Sequence, residues 1–200
     1  MKNAASITAR KNLNVEFRRI KSAHRNAQIR TVARTVLTPS VMRVFREGTR
    51  EDLLPVMETL DVRGLRAVRS QEAFSEWFDK GVARIWRTIG RKNKDNHRIQ
   101  PGGKWGHSTK IMTLFSRGLV LTSRVFPDSI TDRLAPFLYV PIDGVIMRRL
   151  ERLDVDLPFR RIREIDSRSK FYMVQDLLGE TAHKIGVPRV WFDDNWGDRQ

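Results

Sequence analysis

Apolar positions along this chain recur mainly three and four residues apart, the spacing of amphipathic helices. The clearest run is Phe74, Trp77, Phe78, Val82, Ile85, Trp86 and Ile89, which predicts a long helix capped by Ser70 and ended by Gly90. Leu53, Leu54, Val56, Met57 and Leu60 predict a shorter helix from about Thr49, with Glu51 and Asp52 suited to its positive end. Val41, Met42, Val44 and Phe45 form a brief helical piece before the breaker Gly48. Ile111, Met112, Leu114, Phe115, Leu119 and Val120 predict a helix over 106–123. Pro127, a short helix through Leu134, and Pro136 lead into FLYVPIDGVIMRRLERL. There Pro141 suits a helix start, with Asp143 in the first turn and Val145, Ile146 and Leu150 facing inward. A last amphipathic helix is expected over 169–185, ended by Gly186, and the tail VPRVWFDDNWG is aromatic enough to dock on the body. No regular alternation and no turn-spaced hairpin pair appears, so the fold class expected is all-α, a compact multi-helix domain.

The N-terminus departs from this pattern. Residues 1–36 carry nine basic groups (Lys2, Arg10, Lys11, Arg18, Arg19, Lys21, Arg25, Arg30, Arg34) against one acid, Glu16, a local charge of +8. Val15, Ile20, Ile29, Val32 and Val36 leave only a thin apolar stripe. A solvated helix face normally interleaves both signs, so this segment reads as a basic arm or surface helix, with residues 37–200 as the main domain. Residues 91–104 (RKNKDNHRIQPGGK) are polar and turn-forming, and a loop is expected there.

Charge then narrows the partner. The chain of 200 residues holds 38 Lys and Arg against 23 Asp and Glu, a formal net charge of +15. Such a surplus opposes compaction through self-repulsion and points to a polyanion; nucleic acid is the expected partner, and the resemblance given below implies double-stranded DNA. No stretch approaches the length of a membrane span and the N-terminus lacks a signal-like apolar region, so no membrane association and a cytoplasmic location are expected. Cysteine is absent, which excludes disulfides, thiolate metal sites and cysteine nucleophiles. His24, His97, His107 and His183 show no paired spacing, so neither a metal nor another cofactor is expected.

Two segments carry candidate chemistry. In PGGKWGHSTK (101–110), Gly102, Gly103 and Gly106 allow close backbone approach, and Lys104, His107 and Lys110 lie beside them. A phosphate cradle and a plain interhelical turn both fit. Asp143 is a lone carboxylate in an apolar and basic stretch. It suits a base, or a group that stabilises a developing cation; on local chemistry alone a helix cap is favoured.

Taken together, PGGKWGHSTKIMTLF, VPIDGVIMRRLERL and the closing YMVQDLLGETAHKIGV…DDNW resemble the active-site half of the helix-hairpin-helix DNA glycosylase superfamily, over roughly residues 98–196. The resemblance implies a hairpin at Gly102, Gly103 and Gly106 that grips a DNA phosphate through backbone N–H groups. It also implies that Asp143 serves base excision. The catalytic lysine found only in lyase-active members would fall on Lys110, on Lys104 or on neither, and a monofunctional N-glycosylase is expected. Trp105 or His107 would fill the emptied base stack, although Trp105 equally suits the core. Arg91, Lys92, Lys94 and Arg98, with Arg84 and Arg87, form a second basic run for the duplex. Arg148, Arg149 and Arg152 are interleaved with Glu151 and Asp154 and are expected to pair with them. The rival is a non-catalytic DNA- or RNA-binding regulatory or architectural protein. The base recognised, a role in repair or phage defence, and the oligomeric state stay open.

Overall fold

Ser70 opens the helix that organises the fold. In the computed structural model, which describes residues 2–95, 103–152, 157 and 159–192, its hydroxyl accepts a hydrogen bond from the Ala73 amide at 3.2 Å. Helix α5 (Gln71–Lys92) then buries Phe74, Trp77, Phe78, Val82, Ile85 and Ile89 along one stripe. Trp86, expected on that stripe, is instead turned out and 42% exposed.

The same helix runs past Gly90, because its C-terminal cap lies three residues further on. Asn93 is fully buried. Its amide donates to the Ile89 carbonyl, its Oδ1 accepts from the Arg46 amide at 2.8 Å, and its Nδ2 donates to Thr49 Oγ1 at 3.1 Å. Arg91 and Lys92 are therefore helical rather than part of a loop.

Helix α6 (Gly103–Arg117) packs along α5 and is enclosed on nearly every side. Ile111, Met112 and Phe115 are buried, and so are Ser108, Thr109, Thr113 and Ser116. Two of these small polar side chains bond within their own helix: Thr109 Oγ1 donates to the Gly106 carbonyl and Ser116 Oγ to that of Thr113, whereas the Thr113 hydroxyl has no partner among the described residues. The α-helix expected through 123 ends at Arg117. A π-helical turn, Gly118–Thr122, follows and is closed by the Ser123 amide on the Gly118 carbonyl at 2.8 Å. This inserted residue turns the following chain toward the first helix.

That first helix, α1 (Lys2–Val36), joins the core at its C-terminal end. Ile29, Val32, Ala33, Val36 and the following Leu37 belong to the core, against α3 (Thr49–Glu58) and α6. Residues 14–21 are exposed throughout. The helix is thus a projecting basic rod whose last turns are structural. Short helices α2 (Pro39–Met42) and α4 (Val62–Ala67) complete this half.

In the other half, α7 (Asp128–Leu134) precedes an extended strap, residues 138–142, that is buried from end to end. Buried Gln175, on α9 (Arg168–Lys184), holds it as a neighbouring strand would. Its Oε1 accepts from the Val140 amide at 3.0 Å and its Nε2 donates to the Val140 carbonyl at 2.8 Å. Tyr139 packs among Phe74, Phe78 and Phe171, with the Arg189 guanidinium 4.6 Å from its ring centre. Val190 and Phe192 bury the start of the tail, as its composition suggests; residues 193–197 of that tail lie outside the described residues. Every described element is helical, and the fold is all-α.

Candidate functional site

The strap delivers Asp143. Pro141, expected at a helix start, lies buried within the extended segment, and Asp143 is the residue that caps α8 (Gly144–Arg152). Its Oδ1 accepts from the amides of Val145 at 2.9 Å and Ile146 at 3.2 Å. Its Oδ2 accepts from Lys110 Nζ at 3.0 Å. Thirty-three positions apart in the sequence, these two side chains form one ion pair, and both are only partly exposed, Lys110 24% and Asp143 32%.

Burial pushes the Asp143 carboxyl up. The Lys110 charge and hydrogen bond, joined by the Ile146 and Val145 amides, outweigh that and hold it below the ordinary carboxylate range. The group is therefore a fixed negative charge at neutral pH.

Two cavities meet at this pair. The larger, about 1060 Å³, lies between α1 and the end of α6. One wall is a stripe of α1, His24, Gln28, Thr31 and Thr35; the other includes Arg117 and, beyond the π turn, Thr122, Ser123 and Arg124. Gly118 is what lets the walls approach, since a Cβ there would collide with Val32 of α1. The smaller cavity, about 250 Å³, is lined by Val44, Phe45, His107, Ile111, Arg43 and Arg148, with the His107 ring edge-on to Phe45 at 5.5 Å. Lys110 and Asp143 line both. Arg117 and Arg124 line the larger cavity, Arg43 and Arg148 the smaller, and Asp143 supplies the one carboxylate of either lining, so both spaces favour anions.

Gly103, Lys104, Trp105, Gly106 and His107 lie within the opening turns of α6; Gly102 and Arg98 lie outside the described residues. Gly106 is pressed against the turn Ile162–Glu164, where a Cβ would strike the Ile162 carbonyl. Its lack of a side chain serves packing. Trp105 is half-buried against Trp86, ring centres 6.4 Å apart, on the helix face toward α5. Lys94 is exposed just beyond α5, and Lys92 lies 3.9 Å from Asp52. Glu151 pairs with Arg160 at 2.9 Å; the Arg149 side chain and Asp154 lie outside the described residues.

Sequence reasoning named Lys110 and Asp143 but not the walls of the cleft. Its one legible signal was the uncharged polar stripe at positions 24, 28, 31 and 35, helical spacing on a segment otherwise dominated by arginine. Among the described residues, no group of three histidine or acidic side chains is placed to hold a metal, and no helix is long and apolar enough to cross a membrane. No family model, curated protein or solved structure matches the chain.

Proposed function

We propose that the protein binds nucleic acid across the α1–α6 cleft and excises a base from DNA, with Asp143 carrying the chemistry and Lys110 holding it in place. One observation carries this reading: an ionised, partly buried carboxylate, positioned by Lys110 at 3.0 Å, stands where two cationic cavities meet.

Base excision needs a carboxylate of this kind. Extruding a nucleotide from the duplex costs a few kcal/mol, which phosphate contacts along a basic cleft offset. As the N-glycosidic bond breaks, its electrons leave with the base and the sugar becomes cationic at C1′. A preorganised negative charge beside that carbon lowers the barrier, and water then adds to C1′ while the departing base takes up a proton. Two backbone amides and Lys110 fix the carboxylate before the substrate arrives, so little reorganisation is needed.

A second reading follows from the same contacts. Both oxygens of Asp143 are already engaged, one by the α8 amides and one by Lys110, as in a purely structural cap of a nucleic-acid-binding protein. The two readings diverge on Asp143→Asn. In the enzyme, the substitution leaves duplex affinity nearly intact and abolishes abasic sites, scored by alkaline cleavage over a panel of modified duplexes. If wild-type protein binds those duplexes and excises nothing, or if Asp143→Asn excises as well as wild type, the non-catalytic reading replaces the first.

A further inference from the structure

Helix α4 ends in a group of arginines that the cleft does not use. Arg69 folds back on the helix that precedes it, its Nη1 donating to the carbonyls of Val68 at 3.0 Å, and of Ala67 and Arg66 at 3.3 Å. Arg133 arrives from α7 and donates Nη2 to the same Arg66 carbonyl at 2.7 Å. Two guanidiniums therefore converge on one oxygen, their nitrogens no further apart than the two bonds laid end to end, about 6 Å. The exposed side chain of Arg66 stands at the same helix end.

Like charges so placed call for a counter-charge, and the protein offers little. Carbonyls at the negative end of a six-residue helix supply a partial charge. No carboxylate of the described residues forms an ion pair with Arg66, Arg69 or Arg133. Burial and the neighbouring charges of Arg69 and Arg66 all push the Arg133 guanidinium down, and its buried Nε has no partner. An arrangement this unfavourable for folding is explained if an anion covers it. Arginine's planar fork suits phosphate oxygens, and Arg66 and Arg69 are exposed with Arg133 partly so.

We propose that Arg66, Arg69 and Arg133 form a phosphate site for a nucleic-acid backbone, distinct from the Lys110–Asp143 cleft, whose two cavities none of them lines. The proposal rests on the nucleic-acid reading above and gives the strand a second point of attachment on α4 and α7.

The test uses the full chain and a fluorescent random-sequence duplex, titrated over a range of salt concentrations. Arg66 makes no side-chain hydrogen bond to a described residue, so Arg66→Gln removes charge without a structural contact. It is expected to reduce the slope of log K against log salt by about 0.9, one phosphate's share for duplex DNA. Arg66→Lys, which keeps the charge, should retain the slope. Arg66→Glu is expected to lower affinity further yet to raise the melting temperature of the free protein at low salt, because it replaces repulsion with attraction; an arginine needed for the fold would do the reverse. An unchanged slope in Arg66→Gln and Arg66→Glu, with wild-type binding intact, overturns this site and leaves the nucleic-acid reading standing. Failure of the wild type to bind either duplex or single strand overturns that reading, and the arginine site with it.

Discussion

Replacing Asp143 separates two jobs that one carboxylate performs. Asparagine keeps an oxygen for the α8 amides and loses the charge facing Lys110; alanine loses both. A partly exposed ion pair is worth about 0.5–1 kcal/mol after solvent screening, and an N-cap about 1 kcal/mol. Asp143→Asn should therefore cost about 1 kcal/mol and Asp143→Ala about 2 kcal/mol. In a domain of this size each kcal/mol moves the melting temperature by about 2–4 °C.

The pH dependence has a definite sign. The folded-state pKa of Asp143 is depressed, so its charge contributes stability above the unfolded carboxylate value, about 3.9, and that contribution is lost as pH falls through the folded value. Thermal melts of wild type, Asn and Ala at low salt, at neutral pH and again near pH 3, should show the wild-type advantage over Asn shrinking in acid. Part of Ala's deficit relative to Asn should survive, since a cap accepts hydrogen bonds without charge. Equal losses for Asn and Ala at neutral pH would refute the capping role of Oδ1. A wild-type-to-Asn gap that does not change in acid would refute the electrostatic part.

Gly106→Ala should lower stability by about 1–2 kcal/mol, the overpacking cost of up to about 3 kcal/mol less the roughly 1 kcal/mol that alanine gains in a helix, because backbone carbonyls cannot swing aside as side chains do. Duplex affinity should be unchanged; a selective loss of binding with normal melting would restore the phosphate-cradle role. Deleting residues 2–20 should leave the melting temperature as it was and flatten the salt slope of DNA binding, whereas deletion through residue 36 should abolish cooperative unfolding. The longer deletion removes Ile29, Val32 and Val36, at about 1.5–3 kcal/mol each against a total of about 5–15 kcal/mol.

The sequence by itself determined the longer helices and much of the core; α4 was not legible in it, and Val145, expected to face inward, is exposed. The Phe74–Ile89 run, the Ser70 cap and the absence of alternation are local properties, and local periodicity reports which face a helix must bury. It also singled out Asp143, a lone carboxylate among apolar and basic neighbours, and named Lys110 among the cations beside the glycine-rich segment. Tertiary structure decided what local chemistry leaves degenerate. Gly106 reads alike as a loop glycine and as a packing glycine until Ile162 is found against it. A Pro-x-Asp reads as a helix start until Gln175 pairs with Val140 and draws the strap straight. Thirty-three residues separate Lys110 from Asp143, and a contact across that distance depends on how α6 and the strap pack. The arginines at the end of α4 make the same point: Arg66, Arg69 and Arg133 look like scattered surface charges along the chain, and only the meeting of α4 with α7 puts two of them on one oxygen.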